Sequence, residues 1–131
     1  MKIEIISDDF YELDIYRNSD NHINVKLYEF ENAKTIFDYR CDTFITGNLI
    51  VHLKNAIESH KKSLNKIVTS RWYPKFSSTI LSNTVKYPYI YMSLYRKNSI
   101  SYIEFFVYTS KNINYNFRIK MSEIEKELEE K

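Results

Sequence analysis

Four acids stand close together near the start of the chain: Asp8, Asp9, Glu12 and Asp14. Paired carboxylates can pass a proton between a water and a substrate, and an acidic patch can steer a basic partner. Glu12 and Asp14 alternate with Tyr11, Leu13 and Ile15. That is the pattern of a solvated strand face, and no partner group for catalysis stands beside it, so the four acids are read as a partner-binding patch. Arg71-Trp72-Tyr73 is a second candidate contact. These three residue types dominate the energetics of protein interfaces, although a tryptophan of this kind also folds back onto a core.

Other chemistry finds little support. His52 and His60 are eight residues apart on an expected helix, about 12 Å along its axis, too far to share a metal. His22 falls at an expected hairpin turn, and the three histidines are read as surface or helix-end residues. No second cysteine or close His/Asp/Glu group has the spacing of a zinc site. The chain has a single glycine, Gly47. A P-loop, a dinucleotide-binding fingerprint and a nucleophile elbow each need several glycines at fixed offsets, so all three are excluded. No catalytic residue, metal or cofactor is expected, and the chain is read as a non-enzyme.

Cys41 is the only cysteine, so no internal disulfide can form. It is read as a small buried hydrophobe in a reducing, cytoplasmic setting. The N-terminus has no apolar run of signal-peptide length, and no stretch approaches the ~20 apolar residues that span a bilayer.

Net charge is +2, but unevenly laid out. Residues 1–45 hold ten acids and five bases, a net of −5; residues 46–120 hold twelve bases and two acids, a net of +10. The segments either neutralise each other side by side or form separate functional patches. The basic part is also rich in tyrosine: Tyr87, Tyr89, Tyr91 and Tyr95 run through one strand region, and Tyr102 and Tyr108 share a face of the next. Cross-strand aromatic pairing explains them, as does a binding face for protein or, with the nearby lysines and arginines, for nucleic acid.

The elements that position these residues follow from period and turn chemistry. Lys2–Ile6, Tyr11–Tyr16, the Ile23-Val25-Leu27 strand and the strand through Phe37 and Tyr39 read as successive antiparallel hairpins. Turns fall at Asn18–Asn21 and Glu31-Asn32; asparagine replaces the missing glycine because it tolerates the left-handed region. The period then becomes helical at Leu49, Leu53, Ala56, Ile57 and Leu64, with Thr46-Gly47-Asn48 supplying the N-cap. Arg71-Trp72-Tyr73-Pro74 is placed in a loop. Phe76–Leu81, Tyr89–Tyr95, Ile100–Thr109 and Ile113–Lys120 are expected strands, the last three a meander. Ser122-Glu123-Ile124-Glu125 reads as a capping box opening a short helix anchored by Ile124 and Leu128. The expectation is one α+β domain over residues 1–131: two antiparallel strand meanders, one main helix packed on the sheet and a short C-terminal helix.

This order of elements resembles small bacterial immunity proteins, which neutralise wall-associated or contact-dependent polymorphic toxins. The resemblance rests on an early meander ending at Phe44, a helix with Leu49, Leu53 and Ile57, a second meander ending in Phe117 and Ile119, and a capped helix with Ile124 and Leu128. It implies a cytoplasmic monomer or weak dimer that binds a toxin domain, often a nuclease, and occludes its active site. A phage or mobile-element inhibitor of a host defence nuclease is a related reading. A nucleic-acid-binding module using the basic, Tyr-rich second half is the rival, and a small enzyme without known motifs is a third.

Overall fold

The computed structural model describes residues 1–43, 48–73, 89–109 and 114–129. The chain is α+β. Four strands, β1 (Lys2–Ile6), β2 (Tyr11–Arg17), β3 (Ile23–Glu29) and β4 (Lys34–Arg40), come first. Helix α1 (Leu49–Lys62) follows, then β5 (Val68–Trp72), β6 (Tyr89–Lys97), β7 (Ile100–Tyr108), β8 (Asn114–Lys120) and α2 (Met121–Leu128). The strands form two antiparallel sheets, β1-β2-β3-β4 and β5-β6-β7-β8, each in chain order.

Period two sets which side of each strand is buried. In the first sheet Ile3, Ile5, Leu13, Ile15, Val25, Leu27 and Phe37 point inward; in the second, Ile90, Met92, Leu94, Ile103, Phe105, Val107 and Phe117 do. These side chains, with those of both helices, form one continuous core. The sheets approach each other at β1 and β8, and the ring of Tyr11, at the start of β2, meets that of Tyr115 in β8 edge to face at 4.6 Å. Helix α1 lies on the inner side of β5 and β6.

The turns show how the chain manages with so little glycine. Asn21, Ala33, Asn98 and Ser99 take positive φ in the hairpin turns, and Phe10 does so between β1 and β2. Asn18 Oδ1 accepts from the backbone N–H groups of Asp20 and His22, each at 3.0 Å, which closes the β2–β3 turn. A bulge between Leu27 and Tyr28 leaves Ile36 between the register pairs of β3 and β4.

Asn48 caps α1: its Oδ1 accepts from Ile50 N–H at 2.9 Å and Val51 N–H at 3.3 Å. The helix buries Leu49, Ile50, Leu53, Ala56, Ile57 and His60. It stops at Lys62, so Leu64 is exposed beyond its end instead of joining the apolar stripe.

Three further expectations are corrected. Arg71 and Trp72 are not in a loop; they end strand β5, paired with Tyr91 and Ile90. The capping box does not form, because α2 starts at Met121 directly after β8, with Lys120 at the N-cap and no side-chain cap bond. Met121 is buried along with Ile124, and that burial draws Ser122 inside the first turn. His60 is not on the surface but fully buried. The expected strand Phe76–Leu81 lies outside the described residues. Among the described residues, no helix is long and apolar enough to cross a membrane.

Candidate functional site

The four N-terminal acids divide between two places. Glu12 and Asp14 lie on the outer face of β2, where the register adds Glu4, directly opposite Asp14. One carboxylate oxygen from each of the three lies within 4.8 Å of the others. Asp14 has Lys26 opposite it on its other side, and Lys2 Nζ pairs with Glu4 at 2.9 Å. Partial burial and the charges of Asp14 and Glu4 raise the Glu12 carboxyl to about 6. Burial first, then Glu4, also raises Asp14, whose Oδ1 is buried without a hydrogen-bond partner. Three such oxygens have the hardness a divalent cation prefers, but on an open strand face they would leave it mostly hydrated. A proton held on Glu12 relieves the same crowding.

Asp8 and Asp9 stand apart from this trio, exposed in the β1–β2 turn. Ser7 pins the turn: its N–H donates to Tyr11 O at 2.8 Å, and its Oγ accepts from Tyr11 N–H at 3.2 Å. Phe30 N–H donates to Phe10 O at 3.1 Å and ties the turn to the β3–β4 hairpin.

Arg71, Trp72 and Tyr73 also separate. Trp72 is 1% exposed and is a core residue, so it cannot contact a partner. Strand parity sends Arg71 and Tyr73 to the opposite side, the outer face of the second sheet. There the registers line up rows across the strands: Arg71-Tyr91-Phe106-Asn116, Thr69-Ser93-Glu104-Arg118 and, on the last three strands, Tyr95-Tyr102-Lys120. Tyr73, Tyr89 and Tyr108 make a further row, with ring centroids 5.3 Å and 4.5 Å apart.

The rings stand up from the sheet. Tyr89 and Tyr108 are stacked with planes only 12° apart, at a separation close to the strand spacing, so each covers the other's face. Tyr91 packs against Phe106 at 5.9 Å, and Tyr95 against Tyr102 at 5.8 Å. Arg71 lies 5.4 Å from the Tyr91 centroid and Arg118 5.0 Å from that of Tyr102. This face therefore offers aromatic rings and phenol hydroxyls, two guanidiniums engaged with rings, and the polar groups of Thr69, Ser93, Glu104, Asn116 and Lys120 among them. Tyr95 Oη donates to Glu104 Oε1, which fixes that carboxylate within the array.

Beside the array, a cleft of about 540 Å³ opens between the β1–β2 turn and the outer face of β8. Ile6, Ser7, Asp8 and Asp9 form one wall, and Glu104, Asn114, Asn116 and Arg118 the other. The sequence marks the tyrosine strands plainly, with Arg118 and Lys120 as nearby cations, but not Glu104, Asn114 or Asn116. Their signal is the polar alternation of Asn114, Asn116, Arg118 and Lys120. Tyr87 lies outside the described residues.

His60, His52 and Cys41 lie apart from both places and tie elements together. His60 Nε2 is 2.8 Å from Ser101 Oγ, joining α1 to β7, while its Nδ1 is buried without a partner. His52 Nδ1 is 3.4 Å from Ser70 Oγ, joining α1 to β5. Cys41 is fully buried, and burial pushes its thiol far above the ordinary range, where it is no nucleophile.

No protein-family model, curated protein or solved structure matches the chain.

Proposed function

We propose that the chain is a protein-binding inhibitor of the immunity type, acting in the cytoplasm by docking on a toxin or nuclease domain and covering its active site. The observation that carries this reading is the standing tyrosine array on the outer face of the second sheet. Tyrosine supplies rigid, amphipathic contact area with few rotamers to freeze, and it is favoured in protein interfaces for that reason. Stacking of nucleic-acid bases needs open ring faces. In the Tyr73-Tyr89-Tyr108 row, Tyr89 has a ring on each side and Tyr73 and Tyr108 have one each, which leaves less open ring face than a stacking platform offers. A protein partner fits this surface better than a strand of nucleic acid does.

The test is affinity capture from the source cell with the wild-type chain and with a Tyr89→Ala/Tyr108→Ala variant. One protein should co-purify in equal proportion with the wild type and be lost with the variant, and its enzymatic activity should fall when the chain is added back. Tight, salt-sensitive binding of single-stranded RNA or DNA with no protein captured would overturn the proposal.

A further inference from the structure

The cleft beside the tyrosine array is a recess at the edge of the proposed docking surface, and its walls are unevenly charged. Asp8 and Asp9 project from the pinned β1–β2 turn on one side. Glu104 faces them from β7, held by the Tyr95 hydroxyl. Among the described residues one guanidinium, that of Arg118, also borders the cleft; it lies 5.0 Å from the Tyr102 ring and interacts with the Tyr95 hydroxyl and with Glu104, directly across the register. Tyr102 lies across from Lys120, on the far side of Arg118 from Asn116 and Asn114. Among the described residues, the part of the cleft bounded by Asp8, Asp9, Asn114 and Asn116 therefore presents carboxylates and amide groups.

We infer that this cleft seats a basic side chain, an arginine above all, from the protein that docks on the tyrosine face. The inference rests on the function proposed above and adds the chemistry of the partner. A planar guanidinium carries five donors that match paired carboxylates and side-chain amide oxygens, whereas an ammonium has only three. The volume accommodates such a side chain with water around it. The surrounding tyrosines would shield the pair, as a ring of contacts shields an interface hot spot from solvent. An arginine from the partner would take the place of the solvent that Asp8 and Asp9 now face. The partner surface is thus basic where it meets the β1–β2 turn, as the surface of a domain that handles nucleic acid is.

The test is NMR titration of isotope-labelled protein with three capped tripeptides, Gly-Arg-Gly, Gly-Lys-Gly and Gly-Glu-Gly. The arginine peptide should perturb the backbone amides of Asp8 and Asp9 and the side-chain amides of Asn114 and Asn116. It should do so more strongly than the lysine peptide, and the glutamate peptide should leave them unmoved. An Asp8→Asn/Asp9→Asn variant, altered only in an exposed turn, should bind the arginine peptide about fivefold more weakly. Equal response to the glutamate peptide, no response to any peptide, or binding indifferent to the variant overturns the inference. Capture from cells separates it from the broader proposal. A partner lost with Tyr89→Ala/Tyr108→Ala but held fully by Asp8→Asn/Asp9→Asn overturns the cleft and leaves the tyrosine face standing. A partner held by both variants overturns the face itself.

Discussion

Glu12 and His60 show how position decides what an ionisable side chain does, and they push stability in opposite directions. The raised Glu12 carboxyl binds its proton more tightly in the folded state than in the unfolded chain. Its contribution is present below the unfolded value and is lost as pH rises through about 6. Carboxyl NMR should find Glu12 titrating near 6, and Asp14→Asn should move it down part of the way, because partial burial, the larger cause, remains. Glu4 and Asp14 are like charges directly opposite each other, so Glu4→Gln should stabilise the protein by about 0.2–1 kcal/mol above neutral pH. His60 works the other way: burial, and then Arg96, hold its pKa below the ordinary value, so the folded state keeps it neutral. Its contribution is complete above the unfolded value and is lost as pH falls below it, since the unfolded chain takes up the proton first. Denaturant melts of His60→Gln should show a shallower loss of stability between neutral and mildly acid pH than wild type does. The sequence showed Glu12 and Asp14 as one strand face through their alternation with apolar residues. It could not show Glu4 beside them, because only the strand register brings that residue across. The sequence offers no ligand spacing for His60 and so suggests a surface or helix-end residue, whereas its helix face turns it toward Ser101.

At the scale of elements, period two and asparagine turns made seven of the eight strands readable. Strand β5 was the exception: its inward positions are Val68, Ser70 and Trp72, and a serine between two apolar residues hides the alternation. Trp72 fills the core beneath β6, so Trp72→Ala should cost about 3–5 kcal/mol, measured by chemical denaturation, with the fluorescence of the only tryptophan lost as well. The start of α1 was legible from Asn48, and its cap bonds to Ile50 and Val51 give Asn48→Ala an expected cost of about 1 kcal/mol in the same measurement. The start of α2 departs from the capping-box pattern because burial of Met121 competes with it and prevails. Lys61 of α1 forms an ion pair with Glu125 of α2, which links the two helices near the surface.

For the molecule as a whole, the α+β class followed from patterning, but its division into two sheets around one core did not. Patterning shows that a strand has an inner face, not which other strands that face meets. The proposed docking surface is half legible: the tyrosines and the nearby Arg118 and Lys120 stand out in the sequence, while Glu104, Asn114 and Asn116 need the register to join them. Cys41 reports on the integrity of the whole. Its N–H donates to Ile23 O and its carbonyl accepts from Leu49 N–H, both at 2.8 Å, so it couples the first sheet to α1. A thiol reagent should label Cys41 only as fast as the protein opens globally, with the labelling rate tracking unfolding in denaturant. The order of strands within each sheet carries a kinetic consequence. Among the described residues, every β-pairing joins strands adjacent in chain order, and no strand has to thread between two others. Most pairings therefore close short loops at little entropic expense, and each four-strand unit can zip from a hairpin outward. The late step left to the chain is the meeting of the two finished halves, which β1, β8 and α2 bring together.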